Sequence, residues 1–497
     1  MTRTVTALRS AIWVMAESWL VRVVSLISFF VLAHLLTPKD FGLVALATVY
    51  FTFGSFFIDQ GFSTSLVQRE ELEDAHLDAV FWAQCALGVA LAALTFLLAD
   101  PIAGLLGEPA LTPVLQALSI VPIISGLTLV QQAQLRRGLR FRGLATRRVL
   151  STAAGAVIAI ILASQGFGVW SLVAQTAGAA LVSLVVFWRV SDWRPRLSFS
   201  FRHLRELTAF GAAVFAHDVI SSIAIHVDRL LVGRFAGAGA LGVYAVARRI
   251  DTIAGEVLVV GLQKIVVPVF ARVQNERDAL LRGLFRAHRL IAFIVLPAFV
   301  GIALTASKLV PLLLGPKWLE AIPVVQAATL PSLMAALGFF LGNIITAIGR
   351  AGLRLAISIV HALVATTLVL IALRWGPAAV AFAMGLAAVF AYILNIIALR
   401  RLIGLNVVAY HAQAWPALVG TAVMAAAVLW TDSYLTGLAS WIALAINLVV
   451  GALTYVGTTL VLARDHWQEM IALARSLGGS GGSKRRGMST LNRHPAE

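Results

Sequence analysis

Fourteen apolar runs of about twenty residues each constrain this chain more than any other feature. They lie near 12–33, 42–63, 79–99, 114–134, 149–164, 168–188, 209–233, 240–262, 290–307, 324–348, 354–373, 378–399, 413–431 and 438–462. A run of that length crosses a hydrocarbon core ~30 Å thick as a helix. Within lipid the backbone must satisfy its own polar groups, which leaves helices or closed barrels. The runs are long and unbroken, not short and alternating, so a barrel is excluded. The expected fold is an all-α polytopic membrane protein of about fourteen transmembrane helices. Composition agrees: 60% of the residues are hydrophobic and only 12% charged, with a mean hydropathy of +0.90.

The net charge of +16 would suggest nucleic acid in a soluble protein. Here the basic residues sit between the runs, and topology accounts for them. With the N-terminus inside, thirty Lys and Arg fall in inside segments and five in outside ones; four of the 39 are intramembrane. That alternation predicts N-in, C-in orientation, and no nucleic-acid partner is expected. No cleavable signal peptide is evident, since the first run is a full span without a small-residue cleavage site. The single cysteine, Cys85, lies in an apolar run and excludes a disulfide framework and a multi-cysteine metal site.

An internal repeat sets the architecture. Residues 33–47 align without a gap on 233–247: Gly42 meets Gly242, Ala45 meets Ala245 and Ala47 meets Ala247. Spans 1–2 therefore correspond to spans 7–8. A period of six spans gives two parallel lobes related by an axis along the membrane normal. The expected organisation is an N-lobe (1–190), an amphipathic linker (191–208), a C-lobe (209–400), two added spans (401–465) and a disordered basic tail (466–497). Leu197 to Thr208 and Pro268 to His288 read as amphipathic helices lying on the cytoplasmic face.

Ionisable residues stand where lipid-facing helices carry almost none. Spans 7 and 8 hold His217, Asp218, His226, Asp228, Arg229, Arg248, Arg249, Asp251 and Glu256. On span 7 the polar groups occupy about half of the helix circumference at 3.6 residues per turn. Span 1 repeats the pattern with Glu17 and Arg22, in register under the 200-residue offset. Charges at bilayer depth face a bundle interior or an aqueous cavity, so both stripes are expected to line one cavity between the lobes. Arg22, Arg229, Arg248 and Arg249 are candidates for phosphate recognition, because guanidinium is always charged and binds in bidentate fashion. Glu17, Asp59, His217, Asp218, Asp228, Asp251 and Glu256 are candidates for coupling to an H+ or Na+ gradient. The alternative is internal neutralisation: Asp228 by Arg234, Arg248 by Asp251, and Arg249 by Glu256. A cavity of mixed sign suits an anionic or zwitterionic headgroup bearing hydroxyls, not a purely cationic drug. No P-loop, His-Glu-x-x-His or Gly-x-Ser-x-Gly motif is present, and no enzyme activity, cofactor or metal is expected.

Leu32-Ala-His-Leu-Leu-Thr-Pro-Lys-Asp-Phe-Gly-Leu-Val-Ala, Asp59-Gln-Gly-Phe-Ser-Thr-Ser-Leu-Val-Gln-Arg, Asp228-Arg-Leu-Leu-Val-Gly-Arg-Phe and Leu241-Gly-Val-Tyr-Ala-Val-Ala-Arg-Arg resemble Wzx-type polysaccharide flippases, nearest the lipopolysaccharide and colanic-acid exporter branch. The wider multidrug/oligosaccharidyl-lipid/polysaccharide superfamily includes drug extruders and lipid II flippases. The resemblance runs to about residue 465. It implies two six-helix lobes in a V with alternating access. It implies an undecaprenyl-diphosphate-linked saccharide as substrate, the polyprenyl tail lying in a groove beside spans 13–14. A polysaccharide polymerase and a chain-length regulator are the partners it suggests. A drug/cation antiporter of the same fold and a non-transporting scaffold of a polysaccharide assembly complex are the rival readings.

Overall fold

In a computed structural model the described residues are 2–69, 71–273, 277–464 and Trp467. The side chains of 2–16, 209, 210, 213, 214, 216, 217, 221, 224, 257, 259–273 and 351 lie outside the description. So do the basic tail 466–497, Trp467 excepted, and the imidazole of His217. No strand occurs among the described residues.

Thirteen segments are helical, long and apolar enough to cross a membrane. One of them, Ile225–Glu256, is a hairpin. Its continuous helix is interrupted at Gly237, with φ 84° and ψ 170°, a conformation open to glycine. The Tyr244 hydroxyl donates to Asp228 Oδ2 at 2.5 Å. In an unbroken helix sixteen residues would separate those groups by about 24 Å, so the chain reverses at Gly237. Dividing it there yields fourteen spans.

Spans 1 to 6 are Glu17–Leu35, Pro38–Asp59, Asp74–Leu97, Leu111–Arg137, Phe141–Ser164 and Val169–Val190. Spans 7 and 8 are 201–236 and 238–273. Spans 9 to 14 are Arg277–Leu314, Ala321–Ala347, Gly352–Trp375, Pro377–Ile403, Trp415–Tyr434 and Ser440–Leu462. The turn from span 1 to span 2 is written locally. Pro38 occupies the first turn, and Thr37 and Asp40 form a capping box, satisfying backbone donors that the helix leaves free. Span 4 is broken into Leu111–Leu118, Ile120–Gly126 and Leu129–Arg137.

Spans 1–6 and 7–12 form the two lobes. We call the end bearing the Pro38 and Gly237 turns the turn end, and the other, where Ser191–Ser200 joins the lobes, the linker end. At the turn end one apolar core crosses both lobes, with Leu43, Leu46 and Leu115 packed beside Leu241, Val310 and Val369. At the linker end the cores are separate. One gathers Phe62, Phe81 and Val130 of the first lobe; the other gathers Leu284, Ile344 and Leu399 of the second. Within lipid such cores cohere by close packing, since the surrounding chains are as apolar as the side chains. Spans 13–14 dock on span 9, where the Tyr455 hydroxyl donates to the Phe293 carbonyl at 2.6 Å.

Neither expected surface helix exists as a separate element. Residues 191–200 are extended, and the helix that starts at Phe201 runs directly into span 7. Pro195 disfavours helix for its predecessor. Leu197, Phe199 and Phe201 are all exposed, at the spacing of two that suits an extended chain. Residues 277–288 are the first turns of span 9. Leu280, Leu284 and Ala287 are buried there in phase with Ile291 and Val295.

Candidate functional site

The two lobes meet mainly where span 2 packs against spans 7 and 8, and the character of that seam changes along its length. At the turn end it is tight. A Cβ on Gly42 would lie 1.7 Å from the Ala238 carbonyl oxygen, and one on Gly242 would lie 1.7 Å from that of Pro38. These contacts exchange under the 200-residue repeat. The loops after spans 3 and 9 reinforce them reciprocally. In the first, Glu108 Oε1 accepts the Ala238 backbone N–H at 2.6 Å. In the second, Lys317 Nζ donates to the His34 carbonyl at 2.7 Å, and Trp318 Nε1 donates to the Ala33 carbonyl at 2.8 Å. Burial holds the Lys317 pKa below the usual lysine range, opposed by nearby Asp40. Both loops carry Leu-Leu-Gly with the glycine left-handed, Gly107 at φ 75° and Gly315 at φ 91°. This second repeat, at an offset of 208, escaped the sequence comparison because only three residues match.

Towards the linker end the lobes cross closely once more, where a Cβ on Gly61 would lie 2.4 Å from the Gly211 carbonyl oxygen, but polar groups flank that crossing. Arg22 of span 1 donates to the Glu256 carbonyl of span 8 at 3.5 Å. Arg249 lies 3.8 Å from the Glu256 carboxylate, both groups 40% exposed, and reaches a cavity lined by first-lobe residues. At the neighbouring crossing Asp59 accepts from Gln84 at 3.1 Å and from the Ser63 backbone at 3.1 Å. Asp218 of span 7 and Arg136 lie within electrostatic reach of it. Arg22, Arg249, Glu256, Asp59 and Asp218 are thus brought to the boundary between lobes.

The remaining candidates are set apart, which corrects the expectation of one continuous stripe. Glu17 is buried inside the first lobe, 3.6 Å from Arg148. Asp228 is 1% exposed, held by Tyr244 within the hairpin, with Arg229 and Arg248 in electrostatic reach of that pair. Its expected partner Arg234 lies instead over Phe235. Asp251 is 1% exposed; it accepts from Ser332 and pairs with Arg248 at 3.5 Å. The wheel angle was right, but it names a side of a helix and not the neighbour that side meets. The sequence reading missed Arg148 and Arg147, which lies over the Phe187 ring at 4.8 Å; both had been counted as connection residues. It also missed Arg354, which meets Asn395 Oδ1 at 3.4 Å inside the second lobe.

At the linker end Glu73, His76 and His203 place three potential metal-ligand atoms within 4.8 Å of one another. His76 Nδ1 accepts the Glu73 backbone N–H at 3.2 Å, which assigns the ring proton to Nε2; Nε2 faces Glu206 Oε2 at 3.2 Å. A metal on Nε2 would need that proton on Nδ1, where the cap occupies it. The cluster therefore fits a hydrogen-bonded hub and not a preformed metal site. Arg69 completes it, 2.7 Å from Glu206. His76 and Arg69 hold the Glu206 carboxyl below the usual carboxylate range.

The family model described as "Polysaccharide biosynthesis protein" matches residues 31–323. The succinoglycan biosynthesis transport protein ExoT of Rhizobium meliloti is 31% identical over 297 residues, 59% of this chain and 60% of that protein. The lipopolysaccharide biosynthesis protein WzxC of Escherichia coli is 25% identical over 331 residues, 65% of this chain and 66% of that protein. The matched stretches thus span about two thirds or less of these relatives. Among solved structures, the lipid II flippase MurJ in an inward closed conformation aligns with a TM-score of 0.75 at 16% identity, covering 91% of this chain and 98% of that one. An inward-facing multidrug resistance MATE family transporter of the MOP superfamily aligns at 0.62 and 18% identity, covering 77% and 94%. The structural likenesses establish the fold, one shared with these two proteins. With more than half of its length matched by the family model, the chain belongs to the polysaccharide biosynthesis protein family.

Proposed function

We propose that this protein is a flippase that carries an undecaprenyl-diphosphate-linked saccharide across the bacterial inner membrane by alternating access. The observation that carries the reading is the asymmetric seam. At the turn end one apolar core shared by both lobes closes the seam, while at the linker end the cores are separate and, beside the Gly61–Gly211 crossing, ionisable groups from both lobes hold it. Charged contacts exchange for water at little cost, whereas a close-packed core does not. The linker end is accordingly the end that opens in this state. The thirty-to-five Lys/Arg bias supports a cytoplasmic position for that end, where a lipid-linked precursor would enter. Arg22 and Arg249 come from opposite lobes, both reach Glu256 and suit a diphosphate. Asp59 and Asp218, from opposite lobes and within electrostatic reach of each other, are the carboxylates best placed for a coupling cation, H+ or Na+. The tail would remain in lipid beside spans 13–14.

The test is export in cells whose only copy carries Arg249→Ala, with membrane abundance measured alongside. A charge-assisted contact to phosphate contributes roughly 1.5–3 kcal/mol, so surface polysaccharide should fall by about tenfold or more. Normal export at normal abundance removes Arg249 from the diphosphate site. A drug-resistance phenotype on overexpression would favour an antiporter instead.

A further inference from the structure

Beside the seam, inside the first lobe, a cavity of about 230 Å³ lies between spans 1, 2, 5 and 6, with Arg249 of the second lobe at its edge. Its polar lining is Ser25, Ser28, Thr152 and Gln175, and its aromatic lining is Phe29 and Phe41. The two rings meet edge to face at 6.3 Å. No carboxylate lines it. Ser28 is 2% exposed and its hydroxyl has no hydrogen-bond partner. Many other hydroxyls on the spans bond back to the carbonyl four residues earlier, as Thr48 does to Val44, Thr52 to Thr48 and Thr176 to Leu172, although Ser171 and Thr421 share the condition of Ser28.

We propose that this cavity is a saccharide subsite that takes one neutral sugar ring, the first residue after the diphosphate. The claim rests on the flippase reading above and adds to it where the headgroup goes. A cationic ligand would find no carboxylate to meet. A polyprenyl tail would cover the half-buried Gln175 amide and leave it and the buried Ser28 hydroxyl unpaired, at a cost that apolar contact does not offset. A pyranose offers hydroxyls to Gln175, Thr152 and Ser28, and an apolar face to the phenylalanines. The volume is below the roughly 300–1,000 Å³ of drug-sized pockets, which limits it to a single ring. Arg249 then sits where the diphosphate follows, so the subsite reads the sugar and the seam reads the phosphates.

The experiment uses the full chain in phosphatidylethanolamine/phosphatidylglycerol nanodiscs. Equilibrium binding is measured for undecaprenyl diphosphate and for the same lipid carrying glucose, galactose or N-acetylglucosamine. The parent should bind at least one glycosylated probe about tenfold tighter than the bare diphosphate. Gln175→Leu and the near-isosteric Thr152→Val should each cut that preference by about fivefold, one neutral hydrogen bond, with affinity for the bare diphosphate unchanged. Arg249→Ala should weaken all four probes alike. Equal affinity for all four in the parent, or a preference indifferent to both substitutions, overturns the subsite and leaves the flippase reading standing. Failure of the parent to bind any of the four overturns the flippase reading itself.

Discussion

The glycine crossing at the turn end yields the sharpest prediction. Replacing Gly42 with Ala places a methyl group 1.7 Å from the Ala238 carbonyl oxygen, a separation real side chains do not show below 3.0 Å. The obstructing atom is backbone, so no rotamer change relieves it, and spans 2 and 8 must part by about 1.3 Å. Overpacking of this kind costs roughly 1–3 kcal/mol. Here the cost falls only on the state with the turn end closed. The equilibrium should therefore move towards turn-end opening by about five- to 150-fold. Spin labels on Gln165→Cys and Arg374→Cys, exposed in the turn-end loops of the two lobes, report it by pulsed electron resonance, with Cys85→Ser in the background. Gly42→Ala should enlarge the long-distance population, and Gly242→Ala should do the same through Pro38. Gly104→Ala is the control. Its Cβ meets nothing within 4 Å, and helix propensity alone makes it neutral to slightly stabilising. If Gly42→Ala leaves both the distance distribution and the thermal midpoint of its parent unchanged, the tight crossing is wrong.

Three further outcomes follow. Tyr244→Phe removes the hydroxyl held by buried Asp228 and should lower stability by roughly 1–3 kcal/mol; pairing it with Asp228→Asn should recover part of the loss in a double-mutant cycle read by thermal unfolding. Trp318→Phe keeps most of the ring burial and loses the bond to Ala33, so the same spin labels should show a smaller shift to opening, about 1 kcal/mol. The hub at Glu206 should depend on pH. Its folded pKa lies below the ordinary value near 4.5, so its contribution is fully present above that value and is lost as pH falls through the lower folded one. The protection of the Arg196 amide relative to its intrinsic exchange rate, with its N–H held by Asp78 at 3.0 Å, should persist near neutrality and fall only below about pH 4.5; Glu206→Gln should remove the hub's share of that fall.

Much of the fold was legible because lipid enforces a simple grammar of long apolar runs, basic connections and even periods. The repeat was legible too, and its aligned glycines prove to be the ones in contact across the lobes. The site was legible only in part. Helical angles placed polar residues on one side of spans 1 and 7, yet Glu17 turns to Arg148 while Arg22, five residues on, reaches the other lobe. That division depends on which span packs beside which, and no local pattern encodes it. The linker was misread for a different reason. Its arginines and aromatics at 194–202 fit a helix by composition, but a spacing of two and Pro195 favour the extended form it takes.

The short strap between the lobes has a mechanical consequence. Its middle is fastened to the first lobe by Asp78, which holds the Arg196 amide and the Ser198 hydroxyl, and its far end by the Glu206 hub. While those fastenings hold, the strap cannot act as a slack tether, and the first turns of span 7 travel with the wrong lobe. Relative motion must then be taken up further along, by flexing the helix between Leu207 and Ser222. The elastic element of this fold is a beam and not a loop, and its stiffness would set how far the lobes can swing.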